Sequence, residues 1–189
     1  MIREVLSKLN NDGLIDIEKK RSATIASPSL TEAHEVFRVR RCLEREVVRI
    51  ICQNWNKEME AALVNHIALE SESAKEENHR LSIRLAGEFH ILLAELTRNF
   101  LLKKYIKEVV SRCSLILALH ARPHSSQCAV TEHRDLVDAF SRGDDKNAID
   151  LMDEHVGSVE KRAMISEHLD SDLDLGTVIK SYAKQINGF

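Results

Sequence analysis

The stretch that decides the fold is residues 131–155, TEHRDLVDAFSRGDDKNAIDLMDEH. Apolar residues recur at helical spacing on both sides of SRGDD, which predicts two amphipathic helices joined by a sharp turn. Gly143 suits the left-handed position that ends a helix, and Asp144 suits the N-cap of the next helix. The stretch therefore predicts an antiparallel helical hairpin.

The same hairpin places two histidines at one height. His133 precedes Asp144 by 11 residues and His155 follows it by 11. With a rise of about 1.5 Å per residue, each imidazole is expected roughly 16 Å from the turn. Both histidines, and also His90, have apolar neighbours at helical spacing and are predicted to point inward. Three inward imidazoles from three helices predict a metal site with three nitrogen ligands and an open position.

A core of hydrogen-bonded histidines is the alternative interpretation. A single histidine on an apolar helix face is more often a core residue with satisfied nitrogens than a metal ligand. With three such residues, two of them at the same height, the metal site and the hydrogen-bonded core are equally well supported. The residues alone leave both interpretations open.

The rest of the chain is predicted to be an all-α, antiparallel helical bundle. Only 2 Pro and 6 Gly occur in 189 residues, as is typical of helices with short connections. The sequence Ser29-Leu30-Thr31-Glu32 has the form of a capping box, which begins a long helix. Helices are predicted near 30–53, 57–77, 79–97, 100–119, 127–142 and 145–169.

A smaller segment precedes the bundle. Residues 2–12 have helical spacing and end at Gly13, and the alternating pattern around Lys19-Lys20-Arg21 predicts a β-hairpin with a basic tip. We therefore divide the chain into a front segment (1–27), a helical domain (28–169) and a tail (170–189) that has room for one more helix.

Composition limits the compartment and the partners. The net charge is −3, so any binding to nucleic acid has to come from a local patch. The four cysteines lack CxxC spacing and no signal sequence is recognisable, which favours reduced thiols in a cytoplasmic protein. No apolar run approaches the roughly 18–20 residues of a membrane span.

Three stretches resemble the FadR-type branch of the GntR-like bacterial transcription regulators. They are LTEAHEVFRVRRCLE (30–44), GEFHILLAELTRN (87–99) and the helical hairpin of 131–155. The residues that match the family's motifs are Arg40, Glu44, Phe89, His90, Asn99, Glu132, His133, Gly143, Asp144, Ala148 and His155. The resemblance covers about residues 1–165.

The resemblance implies a winged helix–turn–helix followed by a helical effector (FCD) domain that forms a homodimer. In such domains an aspartate and three histidines often hold a divalent metal beside a small carboxylate ligand. His90, His133 and His155 match the three histidines, but Ala86 stands where the aspartate is expected. Three histidines can still bind zinc or nickel, and a metal-free pocket whose histidines bond an anion directly is the alternative.

Two arginines are candidates for the effector's carboxylate. Arg112 lies where the family commonly has arginine and is the first candidate; Arg40 is the second. For each of them a structural ion pair is the competing interpretation, and Arg40 has glutamates nearby in the sequence.

The front segment resembles the DNA-binding end of the family. Residues 2–6 (IREVL) match its recognition helix, and Gly13-Leu14 match the turn into the wing. Arg3 is then expected to reach phosphate or a base edge, and Lys19, Lys20 and Arg21 to contact phosphate from the wing. We expect this winged domain to be truncated, with the chain beginning inside the recognition helix.

The leading hypothesis is a ligand-responsive bacterial transcription regulator without catalytic activity. A dimerising module that binds metal or ligand but no DNA is the second hypothesis. The third is a three-histidine metalloenzyme, which needs a general base near the metal. Glu88, Glu132 and Glu154 flank the histidines in sequence but are expected to project elsewhere.

Overall fold

The computed structural model describes residues 2–17, 22–120 and 127–163. Its helices are α1 (Ile2–Asn11), α2 (Leu30–Asn54), α3 (Lys57–Lys75), α4 (His79–Leu96), α5 (Phe100–His120), α6 (Gln127–Arg142) and α7 (Asp145–Ala163). The strands are β1 (Ile15–Asp16) and β2 (Thr24–Ile25). The predicted all-α bundle is confirmed, while residues 164–169 and the tail lie outside the described residues.

The turn between α6 and α7 has the predicted chemistry. Gly143 adopts φ of 65°, the left-handed conformation that costs glycine little. Asp144 accepts a hydrogen bond from the backbone N–H of Asn147 at 3.2 Å and so caps α7. At the start of α2, Ser29 accepts from the N–H of Glu32 at 3.2 Å, as the capping box predicted.

The bundle buries one apolar interior. α2 packs against α5 and α7, α4 lies against α3 and α5, and α6 lies against α3 and α7. Large side chains that are fully buried include Phe37, Leu63, Phe89, Leu93, Leu136, Phe140 and Met152. Each such side chain contributes roughly 1.5–3 kcal/mol by leaving water. The interior onto which α4, α6 and α7 face is therefore well packed.

The front segment is built differently from the bundle. β1 and β2 form an antiparallel pair that aligns Ile15 with Ile25 and Asp16 with Thr24. The preceding helix α1 has no buried side chain, and Val5 is exposed. Among the helices of the described ranges, none is long and apolar enough to cross a membrane.

Candidate metal and effector site

Three histidines from three helices converge inside the bundle. His90 on α4, His133 on α6 and His155 on α7 are at most 3% exposed. One nitrogen of each lies within 4.8 Å of the corresponding nitrogens of the other two. Nε2 of His90 and Nε2 of His155 are 3.1 Å apart. The spacing of the hairpin and the apolar helix faces had predicted this meeting.

A carboxylate from another helix lies against the outer nitrogen of each imidazole. His155 Nδ1 is 2.6 Å from Glu132 Oε2, and His133 Nδ1 is 2.9 Å from Glu70 Oε2. An ionised carboxylate only accepts hydrogen bonds, so these Nδ1 atoms carry the proton and donate it. The lone pair is then on Nε2, the nitrogen turned to the centre of the cluster, as in carboxylate–histidine–metal arrangements.

His90 follows the same pattern with a looser contact. Its Nδ1 is 2.9 Å from Oε1 of Glu44, which lies on α2. The two atoms are within ion-pair distance, although the ring nitrogen is not aligned for a hydrogen bond. Glu44 also accepts from Nε of Arg40 at 3.2 Å, and both side chains are buried. Arg40 therefore reaches the cluster through Glu44, in the ion pair that was the alternative to effector binding.

The inward nitrogen of His133 has no hydrogen-bond partner. Nε2 of His133 is buried and unpartnered, although its ring is held by Glu70 on one side and by Phe89 stacked at 3.9 Å. A buried polar atom without a partner costs about 1–3 kcal/mol. Such an atom, facing two further imidazole nitrogens, has the donor chemistry that a zinc or nickel ion uses. The residues present therefore fit a divalent metal.

Two of the imidazoles are kept neutral by their surroundings. Burial, together with the charges of Arg40 and His133, holds the pKa of His90 well below its ordinary value. Burial also holds the pKa of His155 well below that value, despite the opposing effect of its hydrogen bond to Glu132. A metal binds imidazole only in its neutral form, so these ligands need lose no proton near neutral pH.

The carboxylates respond to the same environment in two ways. Burial alone would raise the pKa of Glu70, but hydrogen bonds with His133 and His66 hold it below its ordinary value. The pKa of Glu132 is likewise lowered, because its bond to His155 outweighs burial. Burial raises the pKa of Glu44 in spite of Arg40. Glu70 and Glu132 are therefore ionised at neutral pH.

Ala86 occupies the place of the expected fourth ligand. It is half-buried on α4, one turn before His90, and its methyl group offers no donor atom. A metal held only by the three histidines would keep at least one coordination position for another ligand.

The remaining predicted site residues lie elsewhere. Arg112 on α5 contacts Glu32 at 3.3 Å and Glu108 at 3.8 Å, at the junction with the front segment. Arg3 is exposed on α1. The wing residues Lys19, Lys20 and Arg21 lie outside the described residues.

Two carboxylates of the site differ from expectation. Glu132 was expected to project away from the histidines, but from α6 it reaches across to His155 on α7. Glu70 was not predicted at all. Its signal was its place in the apolar stripe of α3, three residues after the buried Ile67 and seven after Leu63. A glutamate at such a position needs a buried partner, here His133.

Comparison with known proteins agrees with this architecture. The FCD domain profile matches residues 35–158. The uncharacterized HTH-type transcriptional regulator YdhC of Bacillus subtilis is 25% identical over 138 residues, which are 70% of this chain. The matched part is 60% of the length of that relative.

Two solved structures share the fold. E. coli McbR/YncC superposes with a TM-score of 0.73 at 16% identity, over 82% of this chain and 79% of that one. A putative GntR transcriptional regulator from Rhodococcus sp. RHA1 gives a TM-score of 0.72 at 18% identity, over 86% and 78%. At these identities the likeness shows the fold alone.

Proposed function

The chain belongs to the GntR family of transcriptional regulators with an FCD domain, and from this premise we propose that it is a metal-assisted, ligand-responsive DNA-binding regulator. In this proposal His90, His133 and His155 hold a divalent metal, zinc or nickel, beside which a small organic acid binds. The observation that carries the proposal is the convergence of three buried imidazoles, each with a carboxylate against its outer nitrogen.

The charges around the cluster favour a cation over an anion. Glu44, Glu70 and Glu132 lie against the outer nitrogens of the imidazoles. The guanidinium of Arg40 is paired with Glu44, and that of Arg162 lies near enough to Glu132 to lower the pKa of this carboxyl. Glu70 and Glu132, whose pKa values are lowered, therefore place negative charge beside the imidazoles. Such a site attracts a divalent cation and repels a carboxylate. The charge balance therefore supports the metal interpretation over direct binding of an anion by the histidines.

Each residue of the site then has a defined part. The histidines supply Nε2 lone pairs, and Glu70 and Glu132 fix two of the rings by accepting their Nδ1 protons. A bound metal would supply positive charge and a coordination position for an acid's oxygen. Ala86 leaves that position to the ligand. The carboxylates that contact the cluster do so at its outer nitrogens, so we propose no catalytic role for them.

Regulation would follow from linkage between the acid and the DNA. An acid that prefers one arrangement of the two subunits of a homodimer changes the affinity for DNA by the same factor by which DNA changes the affinity for the acid. Arg3, exposed on α1, and the basic residues Lys19, Lys20 and Arg21 are the proposed DNA contacts.

Acid binding should depend on metal. We would titrate the chelator-treated and the zinc-loaded chain with a panel of small mono- and dicarboxylates and measure heat and thermal stability. Binding is expected only in the zinc-loaded protein. An Ala86→Asp variant should bind zinc more tightly and the acid more weakly, because the new carboxylate competes for the open position. Equal acid binding with and without zinc would refute the proposed role of the metal.

The regulatory half needs a separate test on DNA. DNA ligands selected from a random pool by this protein would be titrated by fluorescence anisotropy, with and without zinc and the acid. The proposal expects the acid to change the affinity by about 5–150-fold, the usual range of coupling between sites. A DNA affinity that no acid alters would contradict it.

A further inference from the structure

A second contact of interest joins the front segment to the bundle. Gly13 ends α1 with φ of 70°. The N–H groups of Gly13 and Leu14 donate to the carbonyls of Asn10 and Leu9 at 3.0 and 2.9 Å. This pair of bonds is a Schellman motif, in which glycine takes the left-handed position without strain. The turn therefore presents bare backbone at position 13.

The guanidinium of Arg112 lies on that bare backbone. A Cβ atom added to Gly13 would meet Nη2 and Nε of Arg112 at 2.5 and 2.7 Å, and it would also overlap Cζ. Three guanidinium atoms this close mean that the planar group lies against the Gly13 backbone. Any side chain at position 13 would displace it, so the contact requires glycine for space as well as for φ.

Two carboxylates hold the guanidinium in place. Nη1 of Arg112 is 3.3 Å from Glu32 in the first turn of α2, and Nη2 is 3.8 Å from Glu108 on α5. The side chains are partly exposed, so these ion pairs add little to global stability. Their effect is geometric, because they hold the guanidinium plane in the orientation in which it contacts the Gly13 turn.

Among its described residues the front segment buries only Ala26. Its helix α1 buries no side chain, and a cleft of about 180 Å³ lies beside the Arg112 contact. Asn10, Asp16, Ser27 and Glu32 line this cleft together with Arg112. A polar, loosely filled junction can open at low cost, which gives a single well-placed contact a large share in keeping it closed.

We propose that α5 around Arg112 and the first turn of α2 form a docking site for the Gly13 turn, and that Arg112 sets the position of residues 2–17 relative to the bundle. The guanidinium is committed to this contact, so its role differs from the effector binding that the resemblance implied. The docking does not depend on a metal at the histidines or on any acid.

Hydrogen–deuterium exchange of the full chain tests the docking site. Arg112→Ala removes the guanidinium and Gly13→Ala displaces it. Gly143→Ala is the matched control, since Gly143 has nearly the same φ, 65°, with nothing within 4 Å of an added Cβ. Amides of residues 2–17 should exchange at least about tenfold faster in the first two variants and unchanged in the control. Exchange in α2 to α4 should stay as in the wild type in Arg112→Ala.

A double variant separates displacement of Arg112 from backbone strain. If the added methyl acts partly by displacing the guanidinium, Gly13→Ala should have a smaller further effect on residues 2–17 once Arg112→Ala is present, namely that of the backbone strain at φ of 70° alone. The proposal is overturned if Arg112→Ala leaves exchange of residues 2–17 unchanged, or if Gly13→Ala acts equally strongly with and without Arg112. Arg112→Ala alone decides the matter should Gly13→Ala fail to fold.

Discussion

The histidine cluster and the front segment are held by opposite means. In the cluster, five helices contribute three imidazoles and three carboxylates, and every contact is buried or half-buried. In the front segment, α1 buries no side chain and its turn meets the bundle at a partly exposed arginine. The first region fixes its ring nitrogens through buried pairs, whereas the second meets the bundle through partly exposed contacts. In the proposed function the first region binds the ligand and the second changes position.

The largest effect is expected from breaking the buried ion pair of the cluster. Arg40→Leu leaves the buried Glu44 without its guanidinium partner, which should lower the free energy of unfolding by about 3–5 kcal/mol. Chemical denaturation measures this value. Arg45→Leu is the control: its pair with Asp153 is at 2.5 Å but 45% of its side chain is exposed, so the loss of stability should be far smaller than in Arg40→Leu. Equal losses of stability in the two variants would contradict the expected difference between a buried and an exposed ion pair.

The next effect concerns metal affinity. Glu132→Gln removes the charge that orients His155 while keeping the size of the side chain, and zinc affinity should fall about 10–100-fold. Glu154→Gln changes the exposed neighbour of His155 and should leave the affinity unchanged. Competition with a chromogenic chelator gives both values. Unaltered affinity in Glu132→Gln would mean that the carboxylate does not support the ligand.

A smaller effect is expected from pH on the metal-free protein. The pKa values of His90 and His155 are depressed in the folded state, so below about pH 6.5 the unfolded chain binds more protons than the folded chain. The free energy of unfolding should therefore have its full value above that pH and decrease as the pH falls towards 5. Exposed His79 serves as the control, and His79→Gln should leave the slope intact. Stability that is flat between pH 5 and 7.5 would contradict the depressed pKa values.

The smallest effect is expected in the front segment. Val5→Ser replaces an exposed side chain of α1 and should change the free energy of unfolding by less than about 0.5 kcal/mol. Thermal denaturation at two scan rates suffices to measure it. A loss of more than about 1 kcal/mol would show that α1 packs on the bundle far more tightly than its exposure indicates.

Local chemistry explains what could be predicted from the sequence. The Gly143–Asp144 turn and the Ser29 cap depend on residues a few positions apart, so pattern rules predict them directly. The meeting of His133 and His155 followed from the same turn, because equal distances along two antiparallel helices give equal heights. His90 joined them through its apolar face.

Long-range pairing explains what could not be predicted. Glu70 meets His133 across 63 residues, and no local pattern indicates which helix will lie opposite. The direction of the Glu132 side chain was predicted wrongly, because Glu132 adjoins His133 in sequence but its hydrogen-bond partner is His155. Arg112 meets a turn 99 positions earlier in the chain, and only the packing of the front segment reveals that contact.

The central claim is that the three buried histidines form a metal site, and a zinc titration of the chelator-treated protein tests it most directly. Calorimetry should find one ion per chain in the wild type. Zinc affinity should fall more than about 100-fold in His133→Ala, because losing only the outer hydrogen-bond partner of a ligand already costs about 10–100-fold. His79→Ala should keep the wild-type zinc affinity. Absence of zinc binding, or equal affinity in wild type and His133→Ala, would contradict the claim.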